Sequence, residues 1–179
     1  MQKTSRKISL PLTNETAKSL KMGESVLLSG IIYAARDEAH ENLIHLIEEG
    51  KELPIDLQDA TVYYVGPAPA RPGAVIGSAG PTTAGRMDAF TPALLDLGLR
   101  GMIGKGERSD EVIEAMKRNK CVYFGAVGGA GALLASCIKE QEIVAWPELG
   151  PEALRRFRVE DMPLTVVIDT EGHDLYREH

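Results

Sequence analysis

Three cations in this chain stand beside glycine or at a strand-to-helix junction: Arg36 in YAARDEAH, Arg86 in GPTTAGRMD and Lys105 in IGKGE. Each falls where the C-terminal end of a strand should meet a loop, the place where open α/β sheets bind ligands. An arginine fork fixes the plane of a carboxylate through paired hydrogen bonds, whereas lysine acts as a mobile point charge. Two arginines and a lysine converging on one place therefore suit a dicarboxylate. Taken singly, each also fits a solvated surface charge. The neighbouring glycines favour binding, because they let a ligand approach the main chain closely.

Hydroxyl and imidazole groups accompany the cations. Thr82 and Thr83 precede Ala84-Gly85-Arg86. One threonine suits the N-cap of a helix starting near Ala84. A hydroxyl beside exposed amides and a cation also suits substrate orientation or proton relay, and both roles can coexist. His40 follows Arg36 at i,i+4 spacing, which would place both side chains on one side of a helix. It reads either as a structural histidine or as part of the site. His45, His173 and His179 are less well placed. Two phosphate-loop readings fail or fit poorly. A Walker loop needs Ser or Thr after its lysine, and Gly106 follows Lys105. The cluster GAVGGAG departs from the GxGxxG spacing, and no acidic ribose partner is evident.

The elements that must carry these residues alternate between β-branched runs and helix-like stretches, so the fold class is α/β. Strands are predicted at 7–10, 25–33 (buried on both faces), 61–65, 74–76, 101–104 and 121–124, with a closing hairpin of 164–169 and 174–176. Helices are predicted at 13–20, 37–49, from Thr91-Pro92 to Leu97, after Ser109, through Ile138, and in PELGPEALRRF. Asp and Glu in the first turn and Gly50 past the end make 37–49 the clearest helix.

The length of 179 residues fits a single domain, 1–179, with 44% hydrophobic and 26% charged residues. A net charge of −6 with scattered basic residues argues against nucleic acid. Apolar runs such as SVLLSGIIY are too short to span a bilayer, and MQKTSRKISL lacks a signal core, so no membrane partner and a cytoplasmic location are expected. The two cysteines, Cys121 and Cys137, are fewer than the three or four thiolates that an iron–sulfur cluster usually takes.

In order, YAARDEAH, GPTTAGRMD, GMIGKG and VYFGAVGGAGALLA resemble the β subunit of class I fumarate hydratase and of the related L-tartrate dehydratase, over about Ser29 to Asp169. The resemblance implies a swivelling β/β/α fold with a mixed sheet. It implies a hydro-lyase acting on fumarate and malate, or alternatively on tartrate, together with a cluster-bearing α subunit in an α2β2 assembly. The [4Fe-4S] cluster would belong to that partner. The same resemblance places Arg36, Arg86 and Lys105 on the substrate carboxylates, Thr82 at the proton transfer, His40 in a supporting role, and Thr83 and Gly85 in shaping the loop. A binding module that holds a dicarboxylate without transforming it remains the alternative outside enzymes.

Overall fold

A computed structural model describes residues 4–126 and 131–177. Part of GAVGGAG, and His179, lie outside the described residues. The elements in chain order are β1 (Arg6–Ser9), α1 (Asn14–Ser19), β2 (Ser25–Ala34), α2 (Asp37–Glu48), β3 (Thr61–Tyr63), α3 (Thr91–Asp96), β4 (Gly101–Gly104), α4 (Asp110–Asn119), β5 (Val122–Gly125), α5 (Gly131–Ser136), β6 (Ile138–Ala145) and β7 (Leu154–Ile168). Short 3₁₀ turns occupy Ala84–Met87 and Pro147–Glu152.

Two long strands organise the sheet. β2 and β7 pair antiparallel from Ser25↔Thr165 to Ala34↔Arg155, with one register shift between Leu28 and Gly30. The outer edge of β2 carries β1 beside its start and β3 beside its end, both parallel. The outer edge of β7 carries β6 beside its start and β5 beside its end, both antiparallel. β4 joins β3 to β5 through parallel pairing, so β2, β3, β4, β5 and β7 close into a mixed barrel. Strands β2 to β5 run in one direction, and Ala34, Tyr63, Gly104 and Gly125 therefore end on one side.

Burial divides the apolar residues between two cores. Tyr63, Ile103, Val122 and Phe124 pack with Ile32, Phe157 and Val166 in one. Val62, Met102 and Tyr123 pack on the other side against Leu43, Leu94, Val112 and Met116 of the helices. Strands β3, β4 and β5 are buried on both faces, as parallel strands with covered faces are. β2 instead alternates, burying Val26, Leu28, Ile32 and Ala34 while intervening residues stay partly exposed, which corrects the two-sided burial predicted for it.

Several predicted elements differ. Nothing in the apolar periodicity marks Ile138–Ala145 as a strand, because its pattern IKEQEIVA is largely exposed and it is held by pairing with β7. In PELGPEALRRF only Pro147–Glu152 turns, and LRRF opens β7, drawn into the sheet by β2 and β6 against its helix propensity. No strand forms at 74–76. The closing hairpin reduces to a single bridge, Ile168↔Asp174. Thr91 is the first helical residue rather than the cap, and its Oγ1 donates to the Met87 carbonyl at 2.8 Å.

Ser109 does cap α4, its Oγ accepting from Val112 N at 3.3 Å. Asp110 and Glu111 stand in the first turn and Lys117 and Arg118 in the last, the charge order that the helix dipole favours. Ser109→Ala is expected to lower unfolding free energy by about 1 kcal/mol in urea titration, with an unchanged m-value.

Candidate active site

At the end of the barrel where β2 to β5 finish, β3 and β4 stop pairing with each other. Their last contact is Tyr64 N donating to Ile103 O at 2.9 Å. Beyond it the GPTTAGRMD loop enters between the two chains. Thr82 N donates to Tyr64 O at 2.7 Å, Lys105 N to Thr82 O at 3.2 Å and Ala84 N to Lys105 O at 2.8 Å. Thr83 and Lys105 form an isolated parallel bridge. The hydroxyl loop and Lys105 thus share a ladder and cannot shift independently. Gly104 makes this approach feasible: a Cβ there would stand 2.6 Å from the Tyr64 ring and 3.0 Å from Ala84 Cβ.

The 3₁₀ turn Ala84–Met87 then turns Arg86 back over the loop. Its Nε donates to Asp37 Oδ2 at 3.1 Å and its Nη2 to Asp37 Oδ1 at 3.2 Å, a two-point clamp. The same Nη2 donates to Thr82 Oγ1 at 3.0 Å. Thr83 stands at the N-cap position without a side-chain cap bond, so the capping role predicted for a threonine is not what the structure has. Thr82 engages the cation instead. Gly85 has room for a side chain, its nearest neighbour being Glu107 O at 3.9 Å from an added Cβ.

Arg36 lies at the N-cap of α2 in extended conformation. Its guanidinium crosses Gly66, where a Cβ would stand 2.8 Å from Arg36 Cδ and Nη1 and 3.1 Å from Pro151 O. Arg36 Nε sits 4.0 Å from both Asp37 Oδ1 and Glu152 Oε1, and it is buried without a hydrogen bond. Asp37 therefore lies between Arg36 and Arg86. Lys105 is exposed and forms no ion pair among the described residues.

His40 does not share a side with Arg36, because Arg36 is the cap and not a helical residue, so the i,i+4 rule does not apply to the pair. The imidazole is fully buried, 5.5 Å from the Tyr64 ring and 6.0 Å from Phe90. Its Nδ1 lies 2.7 Å from Arg36 O and must carry the proton, since a carbonyl only accepts. Burial, helped by the nearby Arg108 charge, pushes its pKa down to about 4. His40 thus lies behind the surface that carries the cations and steadies the Arg36 main chain.

Asp37 and Glu152 belong to this cluster, and sequence reasoning does not single them out. Asp37 stands inside the quoted RDEAH, where its position in the first helical turn also suits the macrodipole. Glu152 is distant in sequence and signalled by nothing local. The cluster is an open surface rather than a cavity: the Arg86 side chain is 46% exposed. A separate cavity of about 680 Å³, bounded by Ala68, Val75, Ile138 and Lys139 among others, contains none of these residues.

The family model described as Fumarase C-terminus matches residues 1–179. The chain belongs to the fumarase C-terminus family. Within that family it is 44% identical over 153 residues to "Fumarate hydratase class I, anaerobic" of Escherichia coli K12, covering 84% of this chain and 28% of that protein. It is 40% identical over 157 residues to "Fumarate hydratase 2" of Leishmania major, covering 87% and 28%. The chain therefore spans just over a quarter of the length of these curated fumarate hydratases. It is 36% identical over 173 residues to "Putative L(+)-tartrate dehydratase subunit beta" of Methanocaldococcus jannaschii, covering 93% of this chain and 89% of that one.

The hydrogen bonds from Arg86 hold the Asp37 carboxyl below the usual carboxylate range, burial opposing them. Asp37 should stay ionised at a pH where an ordinary aspartate is half protonated, and Arg86→Ala should return its midpoint toward the ordinary value, as followed by carboxyl NMR. His40 has the opposite charge logic. Its folded pKa lies below the unfolded one, so the unfolded chain binds more protons between pH 6.5 and about 4. Stability must fall as pH is lowered through that window, by up to about 1.4 kcal/mol per unit from this group. In urea titrations at successive pH values, His40→Gln should lack this part of the slope.

Proposed function

We propose that this chain is the β-type part of an iron–sulfur-dependent hydro-lyase, acting on fumarate and L-malate with a cluster-bearing α subunit. The observation that carries the proposal is the Arg86 guanidinium bridging Asp37 and Thr82, beside Arg36 and Lys105. Family membership supports it. The Asp37 clamp uses Nε and Nη2 and leaves Nη1 to a substrate carboxylate. Lys105 supplies a mobile charge, and Arg36 a second fork for the other carboxylate.

Hydration of fumarate places a hydroxyl on one alkene carbon and a proton on the other. In the reverse direction that proton leaves a carbon next to a carboxylate, onto which charge spreads. Cations already in place stabilise this charge without reorganising. Thr82 is the proposed proton-transfer group. In the hydration direction the Thr82 hydroxyl gives its proton to the carbon and becomes an alkoxide; in the reverse direction the alkoxide takes that proton back. The hydrogen bond from the Arg86 cation lowers the cost of the alkoxide. His40 and the main chain of Thr83 position these groups, and Gly85 keeps the approach open. The described residues include no group of three His, Cys, Asp or Glu side chains able to hold a metal, and both cysteines are buried. With two cysteines, fewer than the three or four thiolates that a cluster usually takes, this chain is proposed to leave the cluster to the partner.

The swivelling β/β/α type, an α2β2 assembly and a cytoplasmic location accompany this proposal. No helix among the described residues is long and apolar enough to cross a membrane. Tartrate is the second substrate reading, favoured by the relative named a tartrate dehydratase subunit that matches this chain over 89% of its own length.

The isolated chain should fold and show no turnover, and anaerobic reconstitution with the α subunit should yield hydratase activity on malate and fumarate. Turnover by the chain alone, or a preference for tartrate, would redirect the assignment. In the complex, Arg86→Lys keeps charge but loses the fork, and an activity loss on the order of 10²-fold is expected. Thr82→Val should lose at least as much in kcat.

A further inference from the structure

Arg108 takes no part in the chemistry above, yet it is the largest fully buried side chain of the described residues, 2% exposed. Burying a guanidinium is costly, and a buried ion pair contributes little net stability compared with apolar packing of the same shape. Its contacts are instead distributed among the segments that carry the site. Nε donates to Asp88 Oδ1 at 2.7 Å, two residues beyond Arg86. Nη2 donates to Thr91 Oγ1 at 3.0 Å, and Nη1 approaches Met102 Sδ of β4 at 3.4 Å. The guanidinium carbon lies 5.1 Å from the Tyr64 ring centre and 4.9 Å from that of Tyr123, within cation–π range of both.

The site segments lie one or two contacts away from this cage. Tyr64 O accepts from Thr82 N, and the Tyr64 ring packs on His40, which holds Arg36 O. Tyr123 OH donates to Gly106 O at 2.8 Å, next to Lys105. Asp88 Oδ2 accepts from Ser109 N at 2.8 Å, joining the end of the Arg86 turn to the start of α4. We propose that Arg108 is a positioning residue for the active site: it locks the Arg86 turn to the Lys105 segment and so fixes the spacing of the two cations and Thr82. The kinetic part of this proposal rests on the hydro-lyase reading; the geometric part does not.

The test removes both charges together, since the single deletion would strand Asp88. In the full chain, Asp88→Asn/Arg108→Met is followed by thermal melting and by amide hydrogen exchange at Thr82, Ala84 and Lys105. In the complex with the α subunit, kcat and KM for malate are measured. The expected result is a melting temperature within a few degrees of wild type, exchange at those amides at least tenfold faster, and kcat at least tenfold lower with KM raised. Arg108→Lys, which retains the charge but not the fork, should fall between. A folded double variant whose exchange rates and kcat stay within twofold of wild type overturns the proposal. If the double variant fails to fold, the same criteria applied to Arg108→Lys decide. Should the wild-type complex show no hydro-lyase activity, the functional reading falls and exchange alone judges Arg108.

Discussion

The site depends on one piece of main chain being driven between two others. Strands β3 and β4 separate after Tyr64 and Ile103, and Thr82 to Ala84 occupy the gap with their polar groups bonded to Tyr64 and Lys105. Separating two strands inside a covered sheet would ordinarily expose unpaired amides, at a cost comparable to the bonds lost. Here the inserted loop satisfies them. The ladder simultaneously brings a hydroxyl, a lysine and, one turn later, an arginine to the same rim. Gly104 permits the contact, since any side chain would strike Tyr64.

The second constraint is electrostatic. Arg36 and Arg86 would repel one another across a small surface, and Asp37 stands between them. Its carboxylate holds the Arg86 fork at one edge and orients it before any ligand arrives, so less rotamer freedom remains to be lost on binding. Arg36 is less fully paired, with its Nε buried and unbonded over Gly66. The two arginines are therefore unequal: one is preset by a carboxylate, and the other is placed mainly by shape.

Much of the framework is legible in sequence because it follows local rules. The acidic start of α2, the Ser109 cap of α4 and the apolar runs of β3, β4 and β5 all appear where expected. The edge strand β6 and the start of β7 are not legible, since IKEQEIVA and LRRF owe their conformation to partners far along the chain. In the site, glycine-flanked cations point to Arg36, Arg86 and Lys105, and the structure gathers Arg36 and Arg86 around one carboxylate. The sequence position of His40 misleads because a helical spacing rule does not extend to a cap residue. Asp37 is hidden by its plausibility as a helix-start residue, and Glu152 by its distance in sequence.

The carboxylates around these cations also bear on what an approaching dianion experiences. Two arginines, Arg36 and Arg86, face two carboxylates, Asp37 and Glu152, within a chain whose net charge is −6. Beyond a Debye length of about 8 Å the net negative charge and the rim's cations alike are largely screened, so an approaching anion feels the rim only at close range. Any attraction of an anion to this rim is therefore a short-range event, set by the few charges that the rim itself carries.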